Sequence, residues 1–555
     1  MRHFSRPSGN TRALRLILPA FVAISAPVSA QVGPALAPDQ LLGLYPAPRF
    51  SPLAADCTDC LATPQARFYF KGDLSVSPTR DAVGFDPARR AFDDLARWAG
   101  ERGGQPEGRL PSLVWTGSPE IARGTLADAA TRLDLGGGQS LAFDHVAKIS
   151  TNLSFYDASS AAFFDRRAVI ARGQTADGRF VARTLWPADH GLQALAPPQP
   201  LRPGETLESL VRAGQGDARA SYSTRVLWQR DPAALDVAGK PVLAFILNGA
   251  QGDDDEAHGG HFAVATGRVG PGGEMNQWLV NNFYNLGSVS EKGIIASTVP
   301  LDAYLGELNS GQSWYRPSSI LVAVLRDPRV PGLYQEGIGR VFQHFYRQDF
   351  PYRHATANCT GLNVETLRTL GWRLPKLGAE SRLKAAIALP YVAIRDGSLQ
   401  NGKSAYDYLS AERTDLYPLV GFTSLGDDLL GRITRGGAAG SGLEAQLAQD
   451  IEAVILVQVP QFPSSRAVGQ APVGSMEEYL ARAPANKADW KIVPVAPRPF
   501  PAELRDAAAP AAEGTPADTA VLAEGAMFAG LGGLGLFGLG RAFVRRRAAR
   551  GRPAA

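Results

Sequence analysis

The stretch "HATANCTGL", residues 354–362, sets Cys359 between turn-forming polar residues and the start of an apolar-periodic segment. Leu362, Leu367 and Leu370 follow at helical spacing, and Gly371 and Pro375 stop the pattern. Asn358 or Thr356 caps such a helix, which places Cys359 in its first turn. Unpaired N–H groups and the positive end of the helix dipole there favour the thiolate, the form that attacks a carbonyl carbon. A thiolate nucleophile needs a base, and about 100 residues upstream "PVLAFILNGA", "QGDDDEAHGG" and "HFAVATGRVG" read as strand, polar loop and strand. The second strand opens with His261, which shares one face with Ala263 and Ala265, leaving room for a close-packed helix. A third strand, "QWLVNNFYNLG", carries Asn281 and Asn282. Adjacent strand residues point opposite ways, so one of the two faces the histidine and orients its ring.

Other residues compete for these roles. His258, three residues before His261, serves as the base if the strand starts earlier, although a catalytic base belongs on a rigid element. His354 is either a second ring in the site or a polar loop group. Tyr352 either adds an oxyanion donor or packs. The loop "DDDEAH" lacks the spaced acids and bidentate glutamate of a calcium loop, so it reads as solvated. No metal and no cofactor is expected. Cys359 itself has a bland alternative, a small buried hydrophobe.

The elements that position these groups sit in a chain of 555 residues, 45% hydrophobic and 20% charged, enough for more than one core. The basic "MRHFSRPSGNTRALR", the apolar "LILPAFVAISAPVSA" and the small residues at Val28 and Ala30 read as a signal peptide over 1–30, so export is expected. At the other end "VLAEGAMFAGLGGLGLFGLGRAFV", 521–544, is followed by an arginine cluster and reads as one tilted span with a basic cytoplasmic tail at 545–555. The Ala/Pro-rich 506–520 reads as a tether. The net charge of +4 comes largely from the two termini and no interior basic run stands out, so no nucleic-acid partner is expected. In an oxidising compartment Cys57 and Cys60 of "CTDC" close as a short disulfide; a redox pair lacks its strand–helix context, and two ligands do not make a structural zinc site. Cys359 is then the odd cysteine of an exported chain: paired with another molecule, inert, or reactive.

A histidine opening a strand ("GGHFAVATG"), a polar residue on the next ("LVNNFYN") and only later a cysteine at a helix start ("ANCTGLNVETLRTLGW") resembles the circularly permuted papain-like fold, which includes permuted NlpC/P60 hydrolases and lecithin:retinol acyltransferase-like proteins. The stretch "FYRQDFPYRHATANCTGL" is similar to the approach to the cysteine in envelope proteins that include lipoprotein N-acyltransferases. The resemblance spans roughly residues 235 to 375. It implies an α+β fold with an antiparallel sheet packed on the Cys-bearing helix, with Cys359 as nucleophile, His261 as base, and Asn281 or Asn282 where relatives often carry His, Glu or Gln.

The expected organisation is an accessory α+β region at 31–225, a catalytic domain at 226–440, a C-terminal extension at 441–505, then the tether and, at 521–544, a transmembrane or sorting helix. The expected activity is that of a cell-envelope thiol peptidase or amidase, at the periplasmic or extracellular face of the inner membrane, working through an acyl-enzyme on peptidoglycan, lipoprotein or lipid acyl substrates. The alternatives are an acyltransferase using the same residues and an inactive anchored binding module.

Overall fold

The computed structural model describes residues 86, 88–103, 120–146, 156, 158–193, 195–214, 221–231, 235–249, 260–284, 296–346, 349–434 and 442–463, and the backbone of four strands at 43–45, 66–70, 73–76 and 114–116. The expected signal peptide, Cys57, Cys60, the "DDDEAH" loop with His258, the tether and the 521–544 segment lie outside the described residues. Among the described residues no helix is long and apolar enough to cross a membrane.

Strands β1 (Gly43–Tyr45), β2 (Ala66–Phe70), β3 (Asp73–Val76) and β4 (Val114–Thr116) form a sheet in the order β1-β4-β3-β2. Helix α1 (Ala91–Arg102) follows the sequence "AFDDLARWAGER", whose Ala91, Asp94, Leu95 and Trp98 recur on one buried face. It ends at Gly103, whose φ of 58° supplies the left-handed cap.

The accessory region contains an element that its sequence did not announce, a closed five-stranded barrel. Strands β5 (Glu120–Ala127), β6 (Arg132–Gly136), β7 (Gln139–His145), β8 (Ala168–Ala176) and β9 (Arg179–Pro187) close in the order β5-β6-β7-β9-β8, with α2 (Ala158–Phe164) between β7 and β8. Only β7 and β9 run parallel, giving a Greek-key barrel of the OB type. Helix α3 (Leu207–Gly214) leads from it to the main sheet.

That sheet has seven strands, all antiparallel: β10 (Ser223–Gln229), β11 (Pro241–Asn248), β12 (His261–Arg268), β13 (Leu279–Asn281), β14 (Thr298–Pro300), β15 (Ser318–Leu325) and β16 (Ile451–Val459). Their order is β10-β16-β15-β11-β12-β13-β14. The fold is therefore α+β. Strand β16 pairs with both β10 and β15, so residues 451–459 are an interior strand of this sheet rather than part of an extension after 440. The reason lies in its sequence: "IEAVILVQV" is nearly all apolar, and only a strand covered on both faces buries such a run.

Both faces are covered by different partners. Phe245, Phe262, Val264, Leu321 and Leu456 point into one core shared with the helices, while Ala244, Ala263, Ala265, Val322 and Ile455 point into a second core shared with barrel residues such as Leu185 and Trp186. The barrel is also joined to α4 (Leu301–Gly306) by the fully buried pair Arg172–Asp302 at 3.0 Å. Gly306 permits this approach, since a Cβ there would stand 2.4 Å from the Leu185 carbonyl oxygen.

The helical layer comprises α5 (Arg329–Tyr346), α6 (Cys359–Thr369), α7 (Arg382–Asp396), α8 (Leu399–Ser410), α9 (Arg413–Leu416), α10 (Pro418–Thr434) and α11 (Leu443–Asp450). Leu362, Val364 and Leu367 of α6 share the core of Phe262 and Val264. The Cys-bearing helix thus packs on the bulky face of β12, and not on the alanine face that the sequence suggested. Ala263 and Ala265 are small because the barrel-side layer, with Met275, Trp278 and Tyr304, closes over them.

Candidate active site

Asn358 is the N-cap of α6: its φ and ψ are extended, and its side-chain oxygen accepts from the Thr360 and Gly361 N–H groups at 2.9 and 2.8 Å. Its amide in turn donates to the carbonyls of His354 and Leu416, at 2.6 and 3.2 Å. A cap of this kind contributes about 1 kcal/mol to helix stability. Here it also fixes Cys359 as the first helical residue, with its own N–H pointing out of the helix end.

That N–H donates to the Tyr352 hydroxyl oxygen at 3.3 Å. Tyr352 stacks edge-on against His354 at 5.6 Å between centroids. His354 therefore stands one residue removed from the sulfur, supporting Tyr352 with its ring and Asn358 with its carbonyl.

Cys359 and His261 meet where β12 begins. Burial pushes the Cys359 thiol up, but the charge and hydrogen bond of His261, the Phe262 backbone N–H and the Tyr352 hydroxyl overcome it, and the thiol is lowered to about 7. Thiol and imidazole are both nearly enclosed, 5% and 4% exposed, so their interaction is little weakened by water.

The other side of the ring is fixed by an amide. His261 Nε2 lies 2.8 Å from Asn282 Oδ1, a contact in which Nε2–H donates and the amide oxygen accepts. Nδ1 is then the ring nitrogen that serves the thiol. Asn281 points the opposite way, as strand alternation requires. Its amide donates to the Val264 carbonyl at 3.1 Å and to Gln335 Oε1 of α5 at 3.0 Å, and its oxygen accepts from Gln335 Nε2 and from Thr298 Oγ1 at 3.0 and 2.8 Å. Of the two asparagines, Asn282 touches the imidazole and Asn281 ties the sheet to α5.

This division predicts opposite phenotypes. Asn282→Ala is expected to slow acylation of Cys359 by an ester about ten- to a hundredfold, because the ring loses its orienting partner. Asn281→Leu strands the polar atoms of Gln335 and Thr298 and is expected to cost about 2 to 3 kcal/mol in urea unfolding. Equal losses of stability in both variants contradict the assignment.

Two further residues reach the site without any signal in the sequence. The Tyr304 hydroxyl donates to Asn248 Oδ1, and the Asn248 amide donates to Ser318 Oγ at 2.7 Å. Burial raises the Tyr304 phenol well above its usual range and the nearby Cys359 thiolate raises it further, so it stays a neutral donor. Its ring centroid lies 6.1 Å from that of His261. Asn248 is the residue opposite His261 in the β11–β12 register, a pairing that only the fold reveals.

Among the described residues no group of three or more His, Cys, Asp or Glu side chains could hold a metal ion. The arrangement can activate a thiol, hold the conjugate imidazole in one orientation and present a backbone N–H to a developing oxyanion. Comparison with family models, curated proteins and solved structures returns no match.

Proposed function

We propose that this protein is an exported, membrane-anchored thiol hydrolase of the cell envelope, with Cys359 as nucleophile, His261 as base and Asn282 as the group that positions the base. The observation that carries this reading is a thiol at a helix N-terminus that His261 brings down to about 7, with the same imidazole held through Nε2 by the Asn282 amide oxygen at 2.8 Å. The chain order of these residues resembles permuted papain-like and NlpC/P60 hydrolases. The N-terminal pattern over 1–30 supports export, and the 521–544 segment supports anchoring.

In the proposed cycle His261 Nδ1 takes the Cys359 proton as sulfur attacks the amide or ester carbonyl. The tetrahedral oxyanion forms beside the Cys359 N–H, where the Tyr352 hydroxyl now lies. Collapse breaks the bond to the leaving amine or alcohol, which receives the proton from the imidazolium, and leaves a thioester on Cys359. Water, deprotonated by His261, then releases the acid. An amine or hydroxyl acceptor at the same point makes the enzyme an acyltransferase, and the near-complete enclosure of Cys359 and His261 favours this second outcome by limiting water.

The test is mass spectrometry of the full chain after brief exposure to a p-nitrophenyl ester. A hydroxylamine-labile acyl adduct on the Cys359 peptide is expected, absent in Cys359→Ser. Release of p-nitrophenol at the same rate from both proteins, or no adduct at any pH, places the chain among inactive binding modules.

A further inference from the structure

We propose that the α7–α8 hairpin docks on the surface of an anionic phospholipid bilayer and holds the mouth of the active site at the boundary between headgroups and acyl chains. Seven of the eight large hydrophobic side chains that stand exposed among the described residues fall within 377–406, and Leu135 of the barrel is the eighth. Leu383, Ile387 and Ile394 are 72%, 61% and 82% exposed, and Tyr391 joins them. Their spacing of four, then four and three, places all of them on one side of α7. Leu399, 73% exposed, continues the apolar surface at the turn into α8.

The hairpin does not need that surface for its own folding. Ala388, Val392 and Ala405 form its own small hydrophobic cluster apart from the two main cores, with Ala385 and Gly402 also buried. Large apolar side chains held in water are unfavourable relative to burial, so a partner that covers them gains affinity.

Charge and backbone chemistry select a bilayer as that partner. Across 382–410 there are four basic residues, Arg382, Lys384, Arg395 and Lys403, against Asp396 and Asp407. Asp396 is paired with Arg395 at 2.5 Å and Lys384 with Glu380 at 3.3 Å, and Arg382 and Lys384 bracket the most N-terminal apolar residue of the stripe. Apolar side chains flanked by Lys and Arg are what an interfacial helix presents to anionic headgroups. Pro390 lies within the stripe and has no N–H for the Ala386 carbonyl, so this face keeps an acceptor that requires water. A dry seam with another helix buries that carbonyl unpaired; the headgroup region hydrates it.

The hairpin is fastened to the nucleophile. The Leu416 carbonyl of α9, directly after α8, accepts from the Asn358 cap, and Arg368 of the Cys-bearing helix bonds Asp415 at 2.6 Å. The other root is closed by Leu377 N–H to Glu412 at 2.7 Å and by Arg413 N–H to the Gly378 carbonyl at 3.1 Å. A docked hairpin thus sets Cys359 close to the membrane plane. The consequence that the acyl donor is a bilayer-resident lipid or lipidated protein rests on the thiol-enzyme reading; docking itself does not.

The test uses the full chain in vesicles of phosphatidylethanolamine and phosphatidylglycerol, carrying the photocrosslinker p-benzoylphenylalanine at Ile387, Ile394 or, as control, Leu135. Phospholipid adducts roughly tenfold above the Leu135 level are expected at both hairpin positions. The same labelling is expected in Cys359→Ser, so this outcome is independent of the chemistry. Adducts to a second copy or to residues 521–544, or lipid labelling no greater than at Leu135, overturn the proposal. In parallel, the triple variant L383E/I387E/I394E, checked for unchanged thermal unfolding, is expected to lose lipid contact and to turn over a vesicle-embedded ester roughly tenfold more slowly, with a water-soluble ester unaffected. Equal effects on both esters, or on neither, overturn the link between docking and substrate.

Discussion

Replacing His261 by alanine is expected to move the pH midpoint of Cys359 alkylation from near 7 to above the ordinary thiol range of roughly 8.5. The direction follows from the opposing influences on the thiol. Burial alone raises it, and the imidazole is first among the groups that bring it down. Without the ring, burial, the largest single influence on the thiol, is expected to prevail over what the Phe262 N–H and Tyr352 hydroxyl supply. At pH 7 the thiolate fraction then drops from about a half to about one part in thirty or less, so iodoacetamide reacts at least about fifteenfold more slowly. Acylation by an ester is expected to fall further, by about a hundred- to ten-thousandfold, since the same substitution removes the proton acceptor. An alkylation profile unchanged in His261→Ala means that the imidazole does not act on the thiol. A thiol that reacts only after unfolding in both proteins makes Cys359 a structural residue.

The second large effect is on stability and comes from Asp94, far from Cys359 in sequence. Its carboxylate is fully buried and accepts from Arg340 at 3.1 Å, from His344 Nε2 at 3.1 Å and from the Asp86 N–H at 3.2 Å. His344 Nδ1 holds Asp349 at 2.5 Å on its other side. This cluster clamps α1 to α5, the helix whose Gln335 braces the sheet beneath the active site. Asp94→Leu removes the carboxylate that the buried Arg340 guanidinium and the more exposed Arg97 both bond, and is expected to cost about 3 to 5 kcal/mol in urea unfolding. Adding Arg340→Met to that background is expected to restore much of the loss, because the stranded charge is then gone. No recovery in the double variant rejects the charge argument.

The same cluster sets an acid limit. Burial raises the Asp94 carboxyl, but the hydrogen bond of His344 and the charge of Arg340 outweigh it and hold the group well below the usual carboxylate range. A depressed folded value means that the stabilisation is complete above the unfolded carboxylate pKa, roughly 3.9, and is lost as pH falls below it toward the folded value. Unfolding measured between about pH 5 and 2 is expected to steepen in the wild type and to flatten in Asp94→Leu.

The residues of the candidate site were legible because their local context is self-sufficient. An N-cap asparagine before a cysteine, a histidine opening an apolar strand and a pair of asparagines on the next strand are short-range patterns, and backbone geometry alone makes them informative. The helical period of "AFDDLARWAGER" and the unbroken apolarity of "IEAVILVQV" are local features of the same kind.

What tertiary structure decided is everything that depends on pairing between distant segments. Strand alternation states that only one of Asn281 and Asn282 can face the imidazole, but the register of β13 against β12, with Asn281 opposite Val264, is what makes it Asn282. Tyr304, Asn248 and Gln335 carry no local mark, because a tyrosine in a short helix or a glutamine in a long one gains its role only from what packs opposite. His344 carries no local mark either; α1, 250 residues away, brings Asp94 to it. The barrel within residues 31–225 and the interior place of β16 were hidden in the same way, since closure and strand order are properties of long-range hydrogen bonding. The sequence by itself determined which residue types stand ready at helix and strand termini; the fold determined which of them touch.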